Sequence, residues 1–304
     1  MRALLRATRS LMAAAAVLMP FVASAVDAPQ GFIYKVTAPG DVSGATLYLY
    51  GTLHVGSVKS AELDQATRYL VSHSSRLALE LDPRNSTALS QALQTYARYP
   101  AGDSLQQHIP AALMEQTQKR AEELKLPVAR IEQMRPWVAA NLLAVLTLSN
   151  QGLDPRLGSE TLLSAEAARA GVPVVEIEGA DAQFKILGGA PDATQVDALR
   201  RTLDGLNDGR IANEAHQLLD AWSASDGKAI EQMLADLNQE PGLFPHFMAT
   251  ELIAGRDKTM AESAVNDLKA GGTTFFAVGA LHLFGDDGLI NQLRQRGYTV
   301  AALR

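Results

Sequence analysis

The sequence predicts an α/β protein with a compact mixed sheet flanked by helices and with large helical insertions. Short apolar runs bounded by glycine or proline recur along the chain, and longer stretches between them have the spacing of amphipathic helices. The pattern of a strand followed by Gly-x-x-His occurs twice. A composition of 47 % hydrophobic and 20 % charged residues is typical of a globular chain that buries a sizeable core.

Residues 1–25 are predicted to be a secretory signal peptide, followed by one domain over residues 26–304. Three arginines precede an apolar run over residues 11–22, and the small residues 23–25 provide a cleavage site. The apolar run is too short for a membrane-spanning helix, which needs about 20 residues. We therefore expect a periplasmic or secreted protein without a membrane anchor after cleavage. The arginines are Arg2, Arg6 and Arg9.

Charge and cysteine content exclude several classes of function. Cleavage after residue 25 would change the formal net charge from −6 to −9, and binding to a phosphate backbone needs the opposite sign. The chain has no cysteine, so it has neither disulfides nor thiolate metal ligands nor a cysteine nucleophile. We expect no nucleic-acid partner, and instead a peptide or another small extracytoplasmic substrate.

Five strands are predicted from apolar runs. Four of the runs are continuous and fit a sheet that is covered on both faces. These strands are predicted at residues 46–50, 76–81, 172–177 and 273–278. A terminal strand is predicted at residues 298–302.

Helices are predicted between the strands. The first follows Ser60, its predicted N-cap, and the last ends at Gly297. Residues 85–148 and 183–268 have mostly helical patterns and are predicted to be insertions that pack over the α/β core. The second insertion contains one long apolar face, which we expect to be core. That face consists of Leu243, Phe244, Phe247, Met248, Leu252 and Ile253.

Ionisable residues follow four of the predicted strands. The first strand ends in Gly51-Thr52-Leu53-His54, and the fourth ends in Gly279-Ala280-Leu281-His282. Glu80 and Glu178 lie at the ends of the other two. In open α/β sheets the ligand crevice lies outside the carboxyl ends of the strands. We therefore expect two imidazoles and two or three carboxylates to meet at one edge of the sheet, the third being that of Asp82.

This set of side chains suits a divalent transition metal, which could be Mn, Co, Fe or Zn. Such an ion lowers the pKa of a water molecule, and a free carboxylate can act as general base, so hydrolysis is the expected chemistry. The alternative for each histidine alone is a buried hydrogen bond at a strand end. The predicted ligands are His54, Glu80, Glu178 and His282.

The residues at these strand ends resemble the TraB/PrgY/GumN family, within the broader group that includes the Tiki-type metalloproteases. The resemblance is carried by residues 48–55, 77–81 and 278–285 and extends over essentially the whole mature chain. It implies an active centre with two Gly-x-x-His elements, a strand glutamate and an arginine. By position, these residues are His54, His282, Glu80 and Arg256.

One position departs from the family pattern. The family usually has Arg-Asn where this chain has Arg256-Asp257, so an acid stands where an amide is expected. The overall prediction is a periplasmic metal-dependent hydrolase of the peptidase type. The rival interpretation is a non-catalytic protein that sequesters a peptide, haem or metal in the same cleft.

The remaining histidines and both tryptophans are predicted to be structural. The four histidines lack the strand-glycine context, so we expect surface or capping roles, and the tryptophans lie in helical patterns as core anchors. These residues are His73, His108, His216 and His246, with Trp137 and Trp222.

Overall fold

A computed structural model describes residues 30–40 and 44–303. The predicted signal peptide lies outside the described residues. Within them the chain forms a six-stranded mixed sheet flanked by helices, which confirms the predicted fold class. The strands are β1 (Phe32–Thr37), β2 (Thr46–Thr52), β3 (Arg76–Leu79), β4 (Val174–Glu176), β5 (Thr273–Gly279) and β6 (Thr299–Ala302).

The strand order is β4-β3-β5-β2-β1-β6. Strands β2, β3, β4 and β5 pair in parallel, whereas β1 is antiparallel to both β2 and β6. In the β2–β5 pair, Gly51 lies opposite Val278 and Thr52 lies opposite Gly279. The two Gly-x-x-His elements therefore leave the sheet at the same edge, from neighbouring strands.

The strand predictions were correct in position but not complete. Strands β3 and β4 are shorter than the predicted runs, so that Glu80 lies in the loop after β3 rather than in the strand. Glu178 follows β4, as predicted. Strand β1 was missed because its apolar run is short and is interrupted by Lys35, whose side chain is exposed. This strand is held by backbone pairing on both sides, which the local sequence pattern does not reveal.

Helices fill the intervals between the strands, as predicted. Before the fourth strand they are α1 (Gln65–Ser72), α2 (Ser86–Tyr96), α3 (Ala111–Glu123), α4 (Val128–Glu132), α5 (Pro136–Asn150) and α6 (Ser159–Ala170). After it they are α7 (Ala180–Gly189), α8 (Asp192–Asn207), α9 (Arg210–Ser223), α10 (Gly227–Gln239), α11 (Leu243–Phe247), α12 (Gly255–Ala270) and α13 (Leu289–Gln295). A π-helical segment, Met248–Ala254, joins α11 to α12.

The predicted cap of α1 was wrong. Ser60 lies in a short 3-10 turn, and the helix begins after Asp64, whose Oδ1 accepts a hydrogen bond of 2.8 Å from the Thr67 N–H. A carboxylate at this position also interacts favourably with the positive end of the helix dipole. At the other end of the chain, Gly297 follows α13 with φ +87°, which confirms the predicted stop.

The described residues contain two clusters of buried apolar side chains, one around the sheet and one among the helical insertions. The larger surrounds β5, where Phe275 and Phe276 are completely buried and each stabilises the fold by about 1.5–3 kcal/mol. The smaller lies among the helical insertions, where Leu143 of α5 and Leu199 of α8 are completely buried. In residues 30–40 and 44–303, no helix combines the length and hydrophobicity that a membrane span requires.

Candidate active site

A cavity of about 620 Å³ lies at the carboxyl ends of the parallel strands. Its polar part is lined by His54, Glu80, Gln183, Arg256 and His282. Its apolar walls come from the helical insertions and include Trp137, Phe184, Leu218, Phe244, Met248 and Leu252. Ligand-binding cavities in proteins commonly have about 300–1,000 Å³ and a few convergent polar groups in apolar walls. The cavity can therefore hold a small molecule or a short peptide segment.

The loop that carries His54 is fixed against the start of α6. The Leu53 N–H donates to Ser159 Oγ at 2.7 Å, and the Ser159 N–H donates to the Leu53 carbonyl at 2.9 Å. Gly158 allows this close contact, because a Cβ atom there would lie 2.6 Å from the His54 carbonyl oxygen. These contacts fix the backbone from which the His54 imidazole extends.

His54 forms an ion pair with Glu160 in the first turn of α6. The Nδ1 atom lies 2.8 Å from Glu160 Oε1, and the imidazole, 81 % exposed, faces the cavity. The Glu160 charge raises the pKa of His54 from 6.5 to about 9. Burial would raise the pKa of Glu160, but His54 and a hydrogen bond from Thr52 hold it below its ordinary value. The ion pair is therefore present at neutral pH.

His282 is held in a similar way by Asp257 of α12. The imidazole lies in the 3-10 turn after β5, and its Nδ1 is 2.6 Å from Asp257 Oδ1. Both side chains are buried, and burial raises the pKa of Asp257. The contact favours the tautomer with the proton on Nδ1, which leaves Nε2 unprotonated at 3.3 Å from Arg256 Nη1. An asparagine oxygen could accept the same hydrogen bond, which explains how the acid fits where the family usually has an amide.

Glu80 follows β3, and both oxygens of its carboxylate accept hydrogen bonds. Its Oε1 accepts from the Gly279 N–H at 2.6 Å, and its Oε2 accepts from Gln183 Nε2 at 3.0 Å and from Arg256 Nη2. The His282 Nε2 atom is 3.9 Å from Oε1. Burial alone would raise the pKa of Glu80, but the neighbouring His282 and Arg256 lower it from 4.5 to about 2. The carboxylate is ionised at any physiological pH.

Arg256 lies between the two glutamates. Its Nε is 3.1 Å from each oxygen of Glu178, and its Nη2 contacts both Glu178 and Glu80. Its Nη1 donates to the Leu252 carbonyl at 3.1 Å and lies 3.3 Å from His282 Nε2. The guanidinium thus contacts three of the four side chains that were predicted as metal ligands.

The donor chemistry fits a divalent metal, although the arrangement contains an arginine. Among the residues that the structure describes, no group of three or more His, Asp and Glu side chains is arranged to hold an ion. His54 and His282 both line the cavity and each have a carboxylate at Nδ1, which is the usual environment of a metal-binding histidine. With a pKa of about 9, His54 is protonated on both ring nitrogens at neutral pH, so it would have to lose the Nε2 proton to bind an ion. Metal binding therefore stays a prediction.

Sequence reasoning missed Glu160 as a partner of His54. Its only local signal is the position in the first turn of a helix, which many acidic residues share. The contact depends on the packing of α6 against the loop after β2, which no local pattern reveals. Asp257 was noticed as a departure from the family pattern, but not as the partner of His282.

The apolar face in the second insertion was wrongly predicted to be only core. Phe244, Met248 and Leu252 line the cavity, and Leu243 is 54 % exposed. Arg256 is the second residue of α12 and lies in the middle of the uninterrupted helical stretch formed by α11, the π-helical segment and α12.

The residues predicted to be structural lie mostly away from the cavity. His73, His108, His216 and His246 are exposed or half-buried, and none of them contributes to the cavity lining. Trp222 is buried and donates from Nε1 to the Gly51 carbonyl at 2.7 Å. Trp137 is also buried, but it forms part of the cavity wall as well.

The fold and the cavity define an α/β protein with two histidines, buried glutamates and an arginine at the carboxyl edge of a mixed sheet. The chain belongs to the TraB/PrgY/gumN family, whose family model matches residues 32–302. This match confirms the resemblance found in the sequence.

Two relatives are both described as "Uncharacterized protein YbaP", one from Escherichia coli (strain K12) and one from Shigella flexneri. Each is 25 % identical to this chain over 259 residues, which cover 85 % of this chain and 90 % of the relative. No solved structure gave a significant match to the chain.

Proposed function

We propose that this protein is a metal-dependent hydrolase of the peptidase type that acts in the periplasm or after secretion. The supporting observation is that His54, Glu80 and His282 line one cavity, although they come from distant parts of the chain. The extracytoplasmic location rests on the predicted signal peptide, residues 1–25.

The two histidines would hold the metal through Nε2. Glu160 and Asp257 contact the Nδ1 atoms, so they would fix the ring orientation that this role needs. A bound divalent ion would polarise a scissile carbonyl and activate water for attack. The metal could be Mn, Co, Fe or Zn.

Glu80 suits the role of a ligand better than that of a general base. A pKa of about 2 makes its carboxylate a weak proton acceptor near neutral pH, whereas an efficient base has a pKa close to the working pH. Glu178 would be a further ligand or would orient Arg256. The Arg256 guanidinium would hold a substrate carboxylate or stabilise a developing oxyanion.

The apolar walls support a substrate that carries an apolar side chain. The helical insertions contribute Trp137, Phe184 and Leu218 to the lining of the cavity. Burying an aliphatic or aromatic group there would contribute to substrate binding and orient the bond to be cleaved.

Metal analysis and peptide hydrolysis test the proposal. The mature chain, residues 26–304, is purified, and its metal content and its activity on a mixed peptide library are measured with added Mn²⁺, Co²⁺ or Zn²⁺. We expect His54→Ala and His282→Ala each to lower hydrolysis by about 10²-fold or more. His216→Ala, on an exposed histidine of α9, is the matched control. Absence of hydrolysis with every metal, or full activity in both site variants, would overturn the proposal.

A non-catalytic binding protein is the second candidate. It is favoured by the mainly apolar cavity and by the Arg256 guanidinium, which already neutralises charge on the two glutamates. This candidate predicts saturable binding of a peptide, of haem or of a metal ion without turnover. It also predicts that Glu80→Gln leaves peptide or haem binding unchanged, whereas a hydrolase would lose activity.

A further inference from the structure

Three of the four predicted metal ligands contact one guanidinium. Arg256 is 11 % exposed, binds Glu178 through Nε and Nη2, and contacts Glu80 through Nη2. Its Nη1 lies 3.3 Å from Nε2 of His282, a residue that lines the cavity. The side chain therefore occupies the space between the donor atoms.

The buried carboxylates require a cation at this position. The side chains of Glu80 and Glu178 are 10 % and 8 % exposed, and a buried charge without a partner is strongly destabilising. Arg256 supplies one positive charge for these two carboxylates. A divalent ion would supply two, but it could not share the space with the guanidinium because like charges at contact distance repel.

The backbone next to Arg256 has an unusual geometry. The π-helical segment Met248–Ala254 ends immediately before α12, and its Leu252 carbonyl accepts the Arg256 Nη1 hydrogen bond at 3.1 Å. Single π-helical turns occur frequently at functional sites. The side chain also borders the cavity of about 620 Å³, which has room for a displaced guanidinium without repacking of the core.

We propose that Arg256 is an exchangeable internal cation, which holds Glu80 and Glu178 together in the metal-free protein and is displaced into the cavity by a divalent metal. This inference rests on the proposed metal binding. After displacement, the guanidinium would lie on the substrate side of the site, where it can bind a carboxylate or a carbonyl oxygen. One residue would thus stabilise the empty site and contribute to the loaded one.

Titration calorimetry with Mn²⁺ tests the exchange. The mature chain is compared with two variants. Arg256→Gln removes the positive charge, and Arg256→Lys keeps the charge but lacks the planar set of guanidinium N–H donors. We expect Arg256→Gln to bind Mn²⁺ at least about tenfold more tightly than the wild type, because the ion no longer has to displace a cation. Arg256→Lys should fall between them. Arg169→Gln, on an arginine that is 70 % exposed and pairs with Glu166, should behave as the wild type.

The possible results separate this inference from the proposed function. Equal or weaker Mn²⁺ binding by Arg256→Gln, with clear binding by the wild type, would overturn the exchange and leave a metal-dependent hydrolase intact. No Mn²⁺ binding by any form, repeated with Co²⁺ and Zn²⁺, would overturn both.

A measurement on the wild-type protein tests the exchange without comparing the metal affinities of variants. The Arg256 Nε–H resonance is assigned by its loss in the spectrum of Arg256→Lys, or by selective labelling. Saturation with diamagnetic Zn²⁺ should shift this resonance and speed its exchange with water, because the hydrogen bond to Glu178 is broken. An unchanged resonance at saturating Zn²⁺ would overturn the exchange.

Discussion

His54 and Glu160 form an ion pair that joins the loop after β2 to the first turn of α6. The 2.8 Å contact uses Nδ1 of His54, whose exposed imidazole lines the cavity. Ser159 fixes the same loop through its backbone and its hydroxyl. Two consecutive residues of α6 therefore position one candidate catalytic histidine.

Glu160→Gln should lower the pKa of His54 from about 9 towards its ordinary value of 6.5, because the charge that raises it is removed. An NMR titration of the His54 ring protons measures this pKa. Glu166→Gln is a matched control in the same helix, since Glu166 pairs with Arg169 instead. A His54 pKa that stays near 9 in Glu160→Gln would contradict the assignment.

The same pair predicts how stability depends on pH. The pKa of His54 is higher in the folded chain, about 9, than the ordinary 6.5 expected after unfolding. Its stabilising contribution is therefore fully present below pH 6.5 and is lost as the pH rises through 9. In urea unfolding, the stability advantage of the wild type over Glu160→Gln should shrink across this range. If the difference in unfolding free energy between the wild type and Glu160→Gln grew with pH, the ion pair would not be the cause of that difference.

Asp257→Asn should preserve most of the stability, whereas Asp257→Ala should cost about 1–3 kcal/mol. The amide oxygen can still accept a hydrogen bond from His282 Nδ1, but alanine leaves a buried donor without a partner. The free energy of unfolding of both variants is measured in urea at pH 7. Equal losses would mean that the negative charge, rather than the hydrogen bond, is what the fold requires.

Gly158→Ala should destabilise the protein by about 1–3 kcal/mol and reduce activity as well. The added methyl group would meet the backbone of His54 at 2.6–2.8 Å, so the loop that carries the histidine must move. Gly189→Ala is the control, because a Cβ atom at that helical position meets no atom within 4 Å. Thermal unfolding and peptide hydrolysis are measured on both. A neutral Gly158→Ala would show that α6 does not hold the loop as tightly as the contacts indicate.

Ala144→Phe should lower kcat/KM for peptides with large apolar side chains more than for peptides with small ones. Ala144 lines the cavity and is half-buried, so a phenyl group there would fill part of the apolar region. Ala112→Phe, on the exposed face of α3, is the control. The ratio of the two kcat/KM values is the measurement, and an unchanged ratio would place the substrate side chain elsewhere.

Local patterns in the sequence were sufficient for the main features of the fold and for part of the site. The repeated Gly-x-x-His elements could be recognised because each directly follows an apolar run, and β2 and β5 are indeed adjacent and parallel. Ser60 was preferred as a helix cap although Asp64 offers a stronger acceptor beside the helix. Residues in the second insertion have a helical apolar pattern whether they face a core or a cavity, so Phe244 could not be assigned.

The partners of the histidines could not be predicted because they depend on packing between distant segments. Glu160 is ordinary in its local context, and its role appears only when Gly158 lets α6 approach the loop after β2. The position of Arg256 between Glu80 and Glu178 likewise depends on three separate elements meeting at the edge of the sheet.

The position of β5 between β2 and β3 has a consequence for biosynthesis. The two earlier strands have no hydrogen bonds to each other, so the centre of the sheet stays open until residues 273–279 have been synthesised and inserted. Such late, long-range pairing slows folding. A nascent chain or a fragment that stops before β5 would lack His282 and would expose two unpaired strand edges. The candidate site would thus be assembled only after nearly the whole polypeptide has been made, because β5 and His282 both come from the last 32 residues of the chain.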